Sequence, residues 1–236
     1  MLDEKKIVGE GLVNYPKKNF SHAAVAIDVV LLRLFKGKLQ VLLLELEEEP
    51  FIGKWALPGG LVTHKESLDK AAFRHLKNKI NLKDNIFIEQ LYSFGNPKRD
   101  PLGWVVSVAY LGLVNKEGLG LKPAKRYKAI RWFDVSSLSN LAYDHEMIVK
   151  TAVKRLVSKT EYTNIIQFLM KEEFTLSQLQ KDYEVVLSEK LDKRNFRKKI
   201  LNSKIVKPLK KIRKINTKRP AMLYSFTSSK LKNISI

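Results

Sequence analysis

Three positions on one candidate helix, His75, Asn78 and Lys79, decide much of the chemistry open to this chain. At spacing i, i+3 and i+4 they project from one helix face. Carboxylates at that spacing would gather the oxygen ligands a hard cation such as magnesium needs. An imidazole, an amide and an ammonium stand there instead. The expectation is no metal site, no catalytic residue and no cofactor. A second group of chemistry-bearing residues, Lys193, Arg194, Asn195, Arg197 and Lys198, is basic and helical in spacing, with Phe196 and Ile200 turned to a core. Arg and Asn at the start of such a helix reach guanine and adenine edges in the major groove of double-stranded DNA.

Particular elements must hold these groups. Trp55-Ala56-Leu57-Pro58 leads into Gly59-Gly60, and Ser67 to Ile80 places Leu68, Ala71, Ala72, Leu76 and Ile80 on one helical face. Read alone, this is a glycine turn into an amphipathic helix, with Glu66 and Arg74 forming an internal ion pair. His22 to Leu34 and Leu39 to Leu46 are apolar runs around Lys36-Gly37-Lys38 and predict a hairpin of buried strands. Asp28 within the first run is either a ligand contact or a paired structural carboxylate. Further strands are expected at Phe87–Phe94, Trp104–Val114 and Ala129–Phe133, and an amphipathic helix opens at Asp144-His145. The first 20 residues show no clear period and carry no functional expectation.

From Thr163 the pattern changes to three short helices and a hairpin. Asn164 to Lys171 is read as helical, Thr175 with Gln178 as a capping box for Leu176 to Leu187, and Asp192 as N-cap for Lys193 to Asn202. Ile205 to Leu209, a basic turn and Ala221 to Phe226 complete a winged helix-turn-helix layout. Thr175, Ser177 and Gln178 would bind phosphate oxygens, with Lys218 and Arg219 reaching the backbone or minor groove from the wing. The boundary is expected near residue 158, giving units 1–157 and 158–236.

Composition agrees with two units. The 236 residues, 44% hydrophobic, suffice for one core of ordinary size and a smaller second one. The net charge of +20 is uneven: Leu191 to Ile236 carries 15 Lys or Arg and one acid, Asp192. That field suits a polyanion, nucleic acid before an acidic membrane. There is no cysteine, hence no disulfide framework and no thiolate nucleophile. No apolar run is long enough to span a bilayer, and Asp3 and Glu4 without a basic-then-apolar run predict no secretory leader. A cytoplasmic location is expected.

Gly60, Glu66, Arg74, Leu76 and Leu82 match the pattern G-x5-E-x7-R-E-U-x-E-E-x-G-U of the Nudix box, in which U is a bulky aliphatic; His75, Asn78, Lys79 and Asn81 depart from it. With RDPLGWVVSVAY at 99–110, LAYDHEMI at 141–148, FTLSQLQKDYEVVL at 174–187, LDKRNFRKKIL at 191–201 and KRPAMLYSF at 218–226, the chain resembles the Nudix-related transcriptional regulators. The resemblance implies an α/β Nudix fold, a mixed sheet with flanking helices, followed by a winged helix-turn-helix domain. It implies an effector, ADP-ribose or a related nucleotide, with a sugar such as arabinose as the alternative. Carried across, Arg99, Asp100 and Trp104 lie beside the pocket, and Trp55 lies in the loop before Gly59 and Gly60. An Arg there would pair with phosphate and a Trp would stack on a base or sugar. The competing reading is core packing for each Trp and a salt-bridged turn for Arg99-Asp100.

The leading expectation is therefore a homodimeric repressor on a palindromic operator. The alternatives are an active Nudix hydrolase with a basic tail, and a binding module that acts through protein partners.

Overall fold

The computed structural model describes residues 22–82, 86–115, 121–215 and 218–234; the side chains of 213–215, 218 and 219 and the first 20 residues lie outside it. A seven-stranded mixed sheet is built from β1 (Ala24–Phe35), β2 (Lys38–Leu46), β3 (Trp55–Ala56), β4 (Gly59–Leu61), β5 (Phe87–Phe94), β6 (Val105–Val114) and β7 (Tyr127–Asp134). Its path is β3-β2-β1-β6-β5, with β4 paired to β1 and β7 to β2. Only β1 and β6 run parallel.

The apolar runs are continuous because both faces of the sheet are covered. Along β1, Ile27, Val29 and Leu31 pack with Ala71, Ala72, Leu76 and Ile80 of α1 (Leu68–Ile80). Val30 and Leu32 alternate to the other face and meet Ile148, Ala152 and Leu156 of α2 (His145–Tyr162). The expected hairpin forms with the register Leu32 to Val41 through Phe35 to Lys38.

The second unit contains α3 (Leu176–Leu187), α4 (Lys193–Asn202) and a hairpin of β8 (Val206–Ile215) and β9 (Lys218–Phe226). The capping box at Thr175 and the N-cap at Asp192 form as the sequence indicates. The wing strands run further than the apolar residues alone suggest, with a register shift after Pro208 and Lys210 at φ 53°.

One expectation changes. Residues 164–171 do not form an α-helix: Ile165–Leu169 is a 3-10 turn. Asn164 is held by its Nδ2 donating to the Lys230 carbonyl and its Oδ1 accepting from the Lys232 N–H, and Phe174 is drawn into a bridge with Tyr224. The chain is thus tied on both sides of this span, to the segment that follows the wing and to the wing itself, and those ties replace a continuing helix. Residue 158, near which the boundary is expected, lies within α2, which runs unbroken from His145 to Tyr162.

That helix joins the two units. Leu156 is fully buried in a cluster that runs from Val30, Val41 and Leu43 of the sheet to Ile166, Leu179, Phe196 and Val206 of the winged helix. Polar ties reinforce it: Lys159 pairs with Glu89 at 2.5 Å and Arg155 donates to the Leu91 carbonyl at 3.0 Å. Among the described residues no helix is long and apolar enough to cross a membrane.

With one core shared by both units, Leu156→Ala is expected to cost about 2–5 kcal/mol. Urea unfolding followed by Trp fluorescence and by far-UV circular dichroism should give coincident transitions in both proteins. Separate transitions would show that the units unfold independently.

Candidate functional site

A cleft of about 490 Å³ opens above the β1 end of the sheet. Its floor is a buried charge cluster. Arg99 donates to both oxygens of Asp144, Nη2 at 2.7 Å and Nε at 3.0 Å, and Nη2 also reaches Asp28 Oδ2 at 3.2 Å. Ser107 Oγ donates to the same Asp28 oxygen at 2.6 Å, while His145 Nε2 lies 3.4 Å from Asp28 Oδ1. His145 is oriented from its other side, where Nδ1 accepts the Leu57 N–H at 2.9 Å. Burial alone pushes the Asp28 carboxyl up, but His145, Ser107 and Arg99 outweigh it and hold the group well below the usual carboxylate range.

Gly59 is required by this cluster. A Cβ on it would collide with the Ile27 carbonyl and the Asp28 carboxyl, so glycine lets β4 lie against β1 at the point where Asp28 turns into the cleft. Gly60, at φ +149°, leaves room for the His75 ring, whose Cε1 would be 2.7 Å from an added Cβ.

The Nudix-box frame persists in α1 and the loop before it. Ser67 caps the helix, and Glu66 accepts from the Thr63 N–H and from Arg74 Nε at 2.8 Å. Arg74 also donates to the Leu61 carbonyl, so the Glu66–Arg74 pair is the internal strut that the sequence allowed. Asn81 takes over the glycine position in the left-handed conformation, φ 54°, and its N–H closes the helix on the Leu76 carbonyl. The chemistry is different. His75 is buried, its Nε2 is 3.1 Å from the Leu61 carbonyl, and desolvation pushes its pKa down. Asn78 is exposed and Lys79 points its ammonium over the Tyr127 ring, 5.2 Å from the centroid. This donor set does not fit a divalent cation, and among the described residues no group of three or more His, Asp or Glu could hold a metal ion.

Of the expected ligand residues, Gly59, Gly60, Arg99, Asp100 and Trp104 line the cleft. Trp104 is 44% exposed and offers a free ring face there. Asp100 turns its own loop, accepting the Leu102 N–H at 2.9 Å. Arg99 has a side chain only 3% exposed and two carboxylates already on it, so it organises the floor and is not free to bind phosphate. Its partners are Asp28 and Asp144, not the adjacent Asp100. Trp55 does not line the cleft: its ring packs edge-on against Phe133 at 4.6 Å, beside the core shared with α2.

Other wall residues escaped the sequence reading. Phe51 and Tyr143 stack obliquely at 4.4 Å, Tyr143 continues onto His145 at 5.1 Å, and Arg126 grips Glu48 through two hydrogen bonds of 2.7 and 2.6 Å at the rim. One signal was available. An acid in the middle of an apolar strand, as Asp28 is, requires a buried cationic partner.

In the second unit Phe196 and Ile200 are buried and Lys193, Arg194, Asn195 and Lys198 are exposed. At 100° per residue, Arg194 and Lys198 stand one turn apart near the centre of the outward face of α4. Arg197 is half-buried and donates to Ser177 Oγ at 3.2 Å, so it braces α3 against α4. Thr175 is buried, and both it and Gln178 are engaged in the capping box, which takes the hydroxyl and amide oxygen expected to face phosphate. The Lys218 and Arg219 side chains lie outside the described residues.

The geometry agrees with known proteins. The NUDIX domain model matches residues 23–156, and the NrtR DNA-binding winged helix domain model matches residues 166–226. The chain belongs to the NrtR family. It is 35% identical over 219 residues to the ADPR responsive transcriptional repressor NtrR of Acinetobacter baylyi, covering 91% of this chain and 86% of that one. Shewanella oneidensis NrtR, solved with a 27mer DNA, superposes with a TM-score of 0.75 at 30% identity over 86% of this chain and 93% of that one. The Nudix domain of the same protein, solved with ADP-ribose, gives a TM-score of 0.53 at 32% identity over 61% and 94%. An ADP-ribose pyrophosphatase of Methanocaldococcus jannaschii is 34% identical over 131 residues, 56% of this chain and 73% of that one. The similarity to NrtR spans both units, whereas that to the pyrophosphatase covers little more than half of this chain.

For this NrtR-family chain, Asp28→Asn leaves Arg99 buried with one charge removed and is expected to destabilise by about 3 kcal/mol at neutral pH. Because the folded pKa of Asp28 is depressed, its contribution is present above the ordinary value of 3.8 and is lost as pH falls below it. Chemical unfolding between pH 7 and pH 2 should therefore show a steady wild-type advantage over Asp28→Asn down to about pH 4 and a shrinking one below it. A constant difference across that range would remove Asp28 from the account.

Proposed function

We propose that this chain is a DNA-binding transcriptional repressor whose operator affinity is set by ADP-ribose, or a closely related nucleotide, held in the cleft without hydrolysis. The observation that carries this reading is α2. Its N-cap Asp144 and first residue His145 belong to the cleft floor, and its later residues, among them Leu156, lie in the core that supports α3 and α4. A ligand that shifts the floor therefore acts on a rod of about 27 Å at 1.5 Å per residue, whose far end packs in the DNA-reading unit. The effect on DNA is the coupling free energy between the two sites.

The cleft chemistry suits a nucleotide. Trp104, Phe51 and Tyr143 offer aromatic faces for adenine or ribose, and Lys79 and Arg126 offer cations for phosphates. A sugar such as arabinose would use the aromatic wall but leave Lys79 without an anion. Hydrolysis is disfavoured because His75, Asn78 and Lys79 replace the carboxylates that would hold the metal. On the DNA side, Arg194, Asn195 and Lys198 are the candidate base readers, with Lys193 flanking them. A homodimer would set two such helices on the half-sites of a palindrome.

Fluorescence anisotropy on the chain's own upstream DNA tests the repressor reading. Arg194→Ala and Lys198→Ala, at exposed positions, should each weaken operator binding by about 1–3 kcal/mol, and a change at a phosphate contact should lower the salt slope by about 1. Equal affinity for scrambled duplex at moderate salt would count against operator recognition. In a separate assay, ADP-ribose should lower operator affinity and come back intact after incubation with magnesium and a high concentration of protein. Release of AMP would favour the hydrolase.

A further inference from the structure

We infer that Lys79 is the built-in cation for a diphosphate in the cleft, standing in place of a metal ion, so that ligand binding here needs no divalent ion. The inference rests on the reading of the cleft as a nucleotide site and assigns its charge-neutralising group.

Lys79 sits in the last turn of α1, half-buried, and shares the cleft with Gly60, Glu48, Arg126 and Tyr127. Among the described residues no carboxylate lies within ion-pairing distance of its ammonium. Acids that influence it are already engaged: Asp28 by Arg99 and Ser107, Glu48 by Arg126. Its contact is the face of Tyr127, which attracts a cation weakly and is no substitute for an anion. Desolvation, with Arg126 and Arg74 nearby, brings its pKa down to about 8, against the opposing pull of Asp28 and Glu48. A desolvated cation without a counter-ion is costly, and an anion arriving in the cleft removes that cost.

The position matters as much as the charge. Lys79 occupies the register of a box glutamate, on the helix face that turns metal toward a diphosphate when carboxylates are present. Replacing a carboxylate by an ammonium moves the positive charge from a bound ion onto the chain itself. The ammonium attracts the phosphate oxygens through charge-assisted hydrogen bonds but does not generate a hydroxide nucleophile. Retention of the ligand then follows from the same substitution that removes turnover. A purely structural Lys79, serving the C-terminal end of the α1 dipole, would alter stability and leave ligand affinity unchanged.

Isothermal titration of the full chain with ADP-ribose, adenosine and inorganic pyrophosphate separates these roles. Wild-type affinity for ADP-ribose should agree within about twofold between EDTA and magnesium buffers. In EDTA, Lys79→Met should weaken ADP-ribose and pyrophosphate at least about tenfold, roughly 1.4 kcal/mol, and leave adenosine unchanged. Lys79→Arg should retain most of the affinity, and both variants should bind operator DNA without ligand as the wild type does, which reports intact folding. Binding that requires magnesium, or a Lys79→Met protein that binds ADP-ribose like the wild type, overturns the inference. If the wild type ignores ADP-ribose but takes pyrophosphate through Lys79, the proposed effector is wrong and the assignment of Lys79 stands. If it takes neither, both fall.

Discussion

Arg99 is held between Asp144, at the entrance to α2, and Asp28, in the middle of β1, with its side chain 3% exposed. A charge so deeply buried is tolerable only with good geometry and satisfied hydrogen bonds, and here both carboxylates, Ser107 and His145 complete the set. The cluster joins three remote parts of the chain. It sets the Asp28 side chain that Gly59 must clear, the start of α2 and the loop that carries Trp104 into the cleft. Disturbing it would move the ligand wall and the helix leading to the DNA-reading unit together.

The rest of the architecture turns a local event into one the second unit can register. A sheet buried on both faces cannot bend freely, because interiors packed at native density transmit displacement instead of absorbing it. The apolar cluster under α2 passes without a break from Leu43 to Phe196. The box helix α1, on the opposite face, packs in a separate cluster with Ile27 and Leu76. The cleft therefore draws on two cores, one behind Lys79 and one continuous with the winged-helix unit.

Much of this was legible beforehand because it is local. Thr175 and Gln178 form a capping box through contacts three residues apart, Asp192 caps by the same rule, and the outward face of α4 follows from the spacing of Phe196 and Ile200. The hairpin of β1 and β2 was readable from two apolar runs around a turn. Residues 164–171 misled because their helical composition competes with long-range ties from Asn164 to residues 230 and 232, which no local pattern reveals. Arg99 and Trp55 misled for a related reason. Both have side chains suited to a ligand, yet each is consumed by a partner distant in sequence, Asp144 for one and Phe133 for the other.

The sequence by itself determined the absence of carboxylates at positions 75, 78 and 79, the caps of α3 and α4 and the basic face of α4, because residue type, spacing and charge settle those without distant partners. The tertiary structure decided which of the candidate residues remain free. Arg99 and Asp28 neutralise each other, Trp55 joins the core, and Thr175 closes a cap, whereas Trp104 and Lys79 stay turned to the cleft. It also decided that one helix carries both the cleft floor and the support of the reading unit, since continuity of α2 through residue 158 depends on packing against two sets of partners at once. The physical reason is common to all of these. Whether a polar or aromatic group is available depends on what lies within a few ångströms of it, and that is set by contacts between residues far apart in the chain.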